Sequence, residues 1–171
     1  MPLSPPLNLR AWVDEHRHLL RPPVGNACLW DSNFLVMVVG GPNQRSDYHV
    51  NPGEELFYQV EGDIVLKVID GDTPRDVPIR QGEIFLLPAH VPHSPQRPAN
   101  TVGLVVEQPR ASDEHHHLRW YCRTCGAVVH DFEFRPADLG RQIKSMLAQF
   151  HADERLRTCK SCGAVFPAPL S

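Results

Sequence analysis

No stretch of 18 apolar residues runs through this 171-residue chain, so no membrane-spanning helix is expected. Basic residues are not in excess: 17 Lys and Arg stand against 20 Asp and Glu, a formal net charge of −3. A protein held to nucleic acid by charge needs the opposite balance, concentrated on one face, and no nucleic-acid partner is expected. The opening Met1-Pro2-Leu3-Ser4-Pro5-Pro6 has neither the charged segment nor the apolar core of a secretion signal. No internal repeat is apparent. These absences point to a soluble, cytoplasmic protein with no membrane partner.

What the chain does contain is proline, 17 residues in all, most of them scattered through the first 110 residues as turn punctuation. Hydrophobic residues make up 42% of the chain, enough for a sizeable core. Residues 8–20 read as a helix. Asn8 caps it, Leu9, Trp12, Val13, His16, Leu19 and Leu20 share a face, and Arg21-Pro22-Pro23 ends it. Residues 34–39 read as a buried strand closed by Gly40-Gly41-Pro42. Residues 56–60 and 63–69 read as strands around Glu61-Gly62, the second covered in part on both faces. Asp70-Gly71-Asp72 is a turn signal. Residues 83–87 and 101–107 supply two more strands. Short strands between Gly/Pro turns, with no helix between them, predict a mainly β fold, an antiparallel barrel or jelly roll.

After Pro109 the character changes, and a boundary is placed near residue 112: residues 1–112 as one domain and 113–171 as a small C-terminal extension. The extension has a β-like run over 119–134. It also has one helix over 136–154, with Pro136 in its first turn and Leu139, Ile143, Met146, Leu147 and Phe150 on one face. Four of the five cysteines lie here, in two Cys-x2-Cys pairs, Cys122/Cys125 and Cys159/Cys162, each followed by a glycine that permits a tight turn. In a cytosolic chain this spacing reads as metal binding rather than as disulfides. Four thiolates around a tetrahedral ion make a closed, structural site for zinc or iron. Cys28 stands apart, either as a small apolar filler or, near a pocket, as an oxidation-sensitive thiol. His115-His116-His117, beside Asp113-Glu114, reads as a solvated linker.

Two stretches, Gly41 to Gly62 and Gly82 to His93, resemble the paired motifs of the cupin superfamily. In cupins the first motif supplies His-x-His and a Glu, with a Gly seven residues after the Glu. The second supplies another His after Gly-x5-Pro. Here Gly62 lies seven after Glu55 and Pro88 six after Gly82. The chain departs at one position, where His-x-His reads His49-x-Asn51. The resemblance implies a cupin jelly-roll barrel with His49, Glu55 and His93 as metal ligands, His90 being the local competitor to His93. Two imidazoles and a carboxylate leave three positions open on an octahedral ion, as in the non-haem iron(II) oxygenases. Iron(II) is the expected ion, and manganese, nickel and zinc accept similar ligands.

Closer still, the chain resembles the 3-hydroxyanthranilate 3,4-dioxygenase family. The resemblance lies in Pro22 to Asn26, in Val38 to Asn43 and onward through Glu55 to Gln59, and in Phe85 to Pro88 through His93 to Pro98. Trp120-Tyr121-Cys122 to Gly126 is similar to the tail of the bacterial form. The resemblance implies ring opening of 3-hydroxyanthranilate by O2 to 2-amino-3-carboxymuconate semialdehyde, the precursor of quinolinate, in the kynurenine route of tryptophan degradation and NAD biosynthesis. It implies that Arg45 and Arg97 grip the substrate carboxylate, that Glu107 meets its hydroxyl, and that Asn26 lies in a mobile loop over the site. It also implies a homodimer and a rubredoxin-like second metal site. Taken alone, Arg45 and Arg97 are turn-proximal arginines, Glu107 a solvated strand-end carboxylate and Asn26 an ordinary turn residue. A thiol dioxygenase, a sugar isomerase and a non-catalytic sensor are the rival readings. Asn51 in place of a third histidine disfavours the first, and Glu107 with two arginines the second. Absence of O2 uptake would mark the sensor.

Overall fold

A computed structural model of the chain describes residues 3, 5–22, 25–43, 45–109, 113–137 and 139–168. Helix α1 (Leu9–His16) starts where the Asn8 side chain accepts a hydrogen bond from the Ala11 backbone N–H at 3.0 Å, satisfying one of the first-turn donors. It tightens into a 3-10 turn over Arg17–Leu20. Its apolar face buries Val13 and Leu20 against Val38 and Val102.

The strands are β1 (Asn26–Asp31), β2 (Leu35–Gly40), β3 (Tyr48–Val50), β4 (Glu55–Glu61), β5 (Ile64–Asp70), β6 (Thr73–Ile79), β7 (Ile84–Leu87), β8 (His93–Gln96), β9 (Val102–Glu107), β10 (His116–Tyr121) and β11 (Val128–Phe134). They form two antiparallel sheets. One has the order β1-β2-β9-β4-β7, the other β11-β10-β3-β8-β5-β6. Between them Phe57, Ile64, Leu66, Val68, Ile79, Leu87 and Val105 make the barrel core. Inward residues recur at period two along β5, where Ile64, Leu66 and Val68 are all buried. This is the jelly-roll barrel that the strand pattern predicts.

Four strands, β1, β3, β6 and β8, lie where the sequence shows no strand pattern. β1 carries Asn26, expected in a loop. It is an edge strand, mostly exposed, so alternation is weak in it. β3 is three residues long. β6 contains Pro74 and Pro78 and is almost wholly exposed. It closes the edge of its sheet, the place where a strand tolerates proline because one side of its backbone faces solvent.

The boundary placed near residue 112 lies outside the described residues. On its far side, β10 joins the barrel sheet by pairing with β3, Leu118 opposite His49. Beneath the β10–β11 hairpin a second core forms. Trp120 stacks on Phe150 of α2 (Leu139–Ala152), ring centroids 4.0 Å apart, with Leu118, Met146, Cys159 and Phe166 around them. A one-turn helix α3 (Glu154–Arg157) leads to the second cysteine pair.

Candidate active site

His49 and His93 face each other as a cross-strand pair of β3 and β8. Glu55, first residue of β4, arrives from the opposite sheet, so the three side chains converge between the layers. All three are buried, and one ligating atom from each lies within 4.8 Å of the others. His93 Nε2 and His49 Nδ1 approach the same Glu55 oxygen, at 3.3 and 3.8 Å. That is near the ~3 Å edge of an octahedron with bonds of about 2.1 Å. The donor set of two imidazoles and a carboxylate therefore fits a single divalent ion. His90 is exposed at φ 64°, in the turn before β8, outside this cluster.

The electrostatics follow from burial. Desolvation pushes the His49 imidazole well below its usual range and so favours the neutral, ligating form. Burial alone would push the Glu55 carboxyl up. His93, by charge and hydrogen bond, together with His49 and Asn51, instead holds it down at about 2. Burial likewise opposes a charged His93, and the Glu55 carboxylate overcomes it and raises that imidazole. Asn51, where cupins carry a further histidine, donates from Nδ2 to Glu55 Oε1 at 3.1 Å, and its Oδ1 accepts from the Gly53 N–H. The residue that departs from the motif thus orients the Glu55 carboxylate.

Glu107 sits directly opposite Glu55 in the β4–β9 register and is buried; it is not a solvated strand end. Two carboxylates opposite one another repel, so this pair is stable only with positive charge nearby. Arg45 supplies some of it at Glu55. Arg97 is buried as well. Its guanidinium is 3% exposed. Its hydrogen bond is Nη1 to Gln59 Oε1, a long 3.4 Å, while Nε has no partner among the described residues. Gly103 makes the room: a Cβ there would lie 2.8 Å from Arg97 Nη1. Burial and the neighbouring Arg45 charge lower the Arg97 pKa to about 10, which leaves it cationic at neutral pH. Arg45 is placed differently. Its guanidinium forms a two-nitrogen ion pair with fully buried Asp47, and it stands close enough to Glu55 and Arg97 to perturb both. Asn26 is exposed at the start of β1 and pairs with Val39. The strand order puts β2 and β9 between it and the strand of Glu55.

Sequence reading missed four contributors: Asn51, Gln59, Gly103 and His116. The last is fully buried on β10, and its Nδ1 is 2.9 Å from His49 Nε2. The run His115-His116-His117 is therefore not a linker but the start of a strand. His115 and His117 face out and pair with Glu133 and Asp131. Alternation buries the middle residue.

The cysteines gather in a separate centre. Both knuckles repeat one turn. The Cys122 N–H donates to Ala127 O and the Gly126 N–H to Cys122 O, and Cys159, Ala164 and Gly163 reproduce this bond for bond. Gly126 and Gly163 stand at φ 76° and 75°, a conformation open to glycine. The Sγ atoms of Cys122 and Cys162 are 3.6 Å apart, those of Cys125 and Cys159 3.7 Å. A disulfide needs about 2.05 Å; a tetrahedron with bonds of about 2.3 Å has edges near 3.8 Å. The set fits an ion bound by four sulfurs. Backbone N–H groups of Cys125 and Thr124 draw the Cys122 thiol down to about 6. At Cys162 the Ala164 N–H pulls the same way, yet the crowded sulfurs push it up to about 12. A cation among them removes that conflict. Cys28 is exposed on β1, its thiol donating to the Trp30 carbonyl at 3.3 Å. A groove of about 910 Å³ opens on the outer face of the six-stranded sheet beside the first knuckle and is lined by Tyr48, Lys67 and Arg123.

Known proteins resemble this arrangement throughout. The family model for 3-hydroxyanthranilic acid dioxygenase matches residues 1–151. A 3-hydroxyanthranilate 3,4-dioxygenase of Xanthomonas campestris is 51% identical over 98% of this chain and 95% of its own. One from Neurospora crassa is 50% identical over 95% of this chain and 91% of its own. Among solved structures, a Neisseria meningitidis protein aligns at TM-score 0.50 and 19% identity, covering 61% of this chain and 99% of its own, which speaks to the fold alone. With half its residues shared with such relatives over nearly all its length, the chain belongs to the 3-hydroxyanthranilate 3,4-dioxygenase family and is a dioxygenase built on a cupin barrel.

Proposed function

We propose that this chain is an iron(II)-dependent enzyme that opens the ring of 3-hydroxyanthranilate with O2 to give 2-amino-3-carboxymuconate semialdehyde, the precursor of quinolinate, in tryptophan degradation and NAD biosynthesis. One observation carries the proposal: the barrel that buries the two-histidine, one-carboxylate cluster also buries a guanidinium that meets no carboxylate among the described residues. A buried cation of that kind is costly unless an anion arrives. The substrate's carboxylate is the complementary group, and the planar Arg97 fork matches it.

His49, Glu55 and His93 would hold the iron, which would supply the electronic coupling between substrate and O2. The remaining roles belong to side chains. Arg97, held against Gly103 and Gln59, anchors the carboxylate and so sets the ring's orientation. Arg45 joins it from the Asp47 ion pair. Glu107, beside Glu55 in register, accepts the phenolic proton as the hydroxyl approaches the ion. Phe57, Met37 and Val39, on the inner face of the same sheet, keep water away from the ring. Asn26, exposed at the β1 edge with β2 and β9 between it and the strand of Glu55, would meet substrate only if its segment moved over the cavity. Both atoms of O2 enter the product, so no external reductant is consumed.

Within this reading residues 1–112 are the catalytic domain, and 113–171 a four-cysteine extension holding iron or zinc through Cys122, Cys125, Cys159 and Cys162. The enzyme is cytoplasmic and pairs as a homodimer. Trp30 and Leu86, 47% and 53% exposed on the outer face of the five-stranded sheet, are apolar area that a second copy would cover. No helix among the described residues is long and apolar enough to cross a membrane. The deciding assay loads the protein with iron anaerobically, adds 3-hydroxyanthranilate and air, and follows semialdehyde absorbance with O2 uptake. Product forming with matching O2 consumption is expected; bound iron with no product rejects the proposal.

A further inference from the structure

Each histidine of the cluster presents one ring nitrogen to Glu55 and turns the other away. For His93 the far nitrogen, Nδ1, is 3.0 Å from the Val91 carbonyl oxygen. A carbonyl only accepts, so Nδ1 carries the proton and Nε2 keeps its lone pair for a metal. For His49 the far nitrogen is Nε2, and its partner is the Nδ1 atom of His116 at 2.9 Å. The two rings lie 5.1 Å apart between centroids with planes 25° from parallel. With the nitrogens in hydrogen-bond contact, that spacing is an edge-to-edge bond close to the ring planes rather than a stack of faces.

We propose that His116 is a positioning residue for the metal centre: its Nδ1 accepts the His49 Nε2 proton and thereby fixes His49 with its Nδ1 lone pair toward the ion. The proposal rests on the reading of His49 as a metal ligand. Were the proton on His116 Nδ1 instead, His49 Nε2 would accept it and His49 Nδ1 would carry a hydrogen where the ion must bind. The His116 ring lies on the side of His49 away from Glu55, so it is no fourth ligand, and it stands outside the converging set. Its ring is held by packing. It is fully buried, on β10, with the Phe134 ring 6.0 Å away. β10 pairs with β3 at Leu118 opposite His49 and runs on to Cys122 of the four-sulfur centre. The strand that begins with a prop for one metal site thus ends in a ligand of the other.

The test measures iron(II) affinity of the full-length protein by anaerobic titration, with the four-cysteine centre already loaded, beside apoprotein melting temperatures. His116→Phe keeps the ring's bulk and loses the acceptor; a 10- to 100-fold weaker Kd is expected, the usual effect of removing such a partner. His116→Asn places a carbonyl oxygen near the lost Nδ1 and is expected to recover most of that affinity. A wild-type Kd in His116→Phe, or equal losses in both variants, overturns the proposal. Should His116→Phe not fold, ¹⁵N histidine NMR of the zinc-loaded wild type decides: His116 Nδ1 is expected unprotonated and His49 Nε2 protonated, and the reverse overturns it. His49→Ala separates the two levels. If that variant binds iron as wild type does, the ligand reading and this proposal both fall. If it does not bind while His116→Phe binds normally, the positioning role alone falls.

Discussion

The two clusters of this chain that could hold a metal are built on opposite plans. The four-cysteine cluster comes from two copies of one local turn, and half its cysteines, Cys125 and Cys162, are exposed. The barrel centre draws His49, Glu55 and His93 from three strands in two sheets, and all three are buried. The first would close an ion in sulfur and leave nothing for a substrate. The second offers three donors and would leave room for other ligands. The difference teaches that a structural site can be assembled by local chain geometry, whereas an open one has to be held by the register of the whole barrel.

Four experiments break or sharpen this contrast. The largest effect belongs to the barrel ligands: His49→Ala should abolish turnover with little change in melting temperature. Activity measured against iron content checks it, and full turnover would remove His49 from the set. Cys125→Ser should do the reverse. Its cost is in stability, of the order of several kcal/mol because metal binding there is folding energy, with residual turnover kept. Urea unfolding beside a metal assay reads this out, and loss of activity in folded, iron-loaded protein would erase the distinction. Arg97→Ala should raise KM by roughly 10- to 100-fold, the worth of a charge-assisted pair at about 1.4 kcal/mol per decade, while moving kcat less. A KM left where it was would take the substrate carboxylate away from Arg97. The mildest is Asn51→Ala, which frees Glu55 Oε1 from its donor and should weaken iron binding about tenfold; no change would reduce Asn51 to a turn residue.

How legible each part was depended on what surrounds it. β2, β5 and β9 announced themselves because buried strands repeat apolar residues. β1 and β6 did not, because edge strands face solvent and tolerate charge and proline. His116 was misread for a related reason. Three consecutive histidines beside acids look solvated, and β alternation alone decides that the middle one turns inward. Glu107 looked like a solvated strand end until the register put it opposite Glu55. Arg45 was expected to be a gripping cation, and its Asp47 partner two residues along is visible in sequence only once both are known to face inward.

The amino-acid sequence by itself determined the four-sulfur centre, because two residues between cysteines and a following glycine make that turn wherever they occur. It also determined the barrel class, through short strands and proline-marked turns, and its family spacing picked out His49, Glu55 and His93, the trio that the fold brings together. Only the tertiary structure decided that β10, beyond the boundary placed near 112, pairs with the strand of His49, that Arg97 lies buried without a carboxylate among the described residues, and that Asn51 steadies Glu55. Those are contacts between strands far apart in the chain, and their geometry is set by sheet register, which no local pattern of residues encodes.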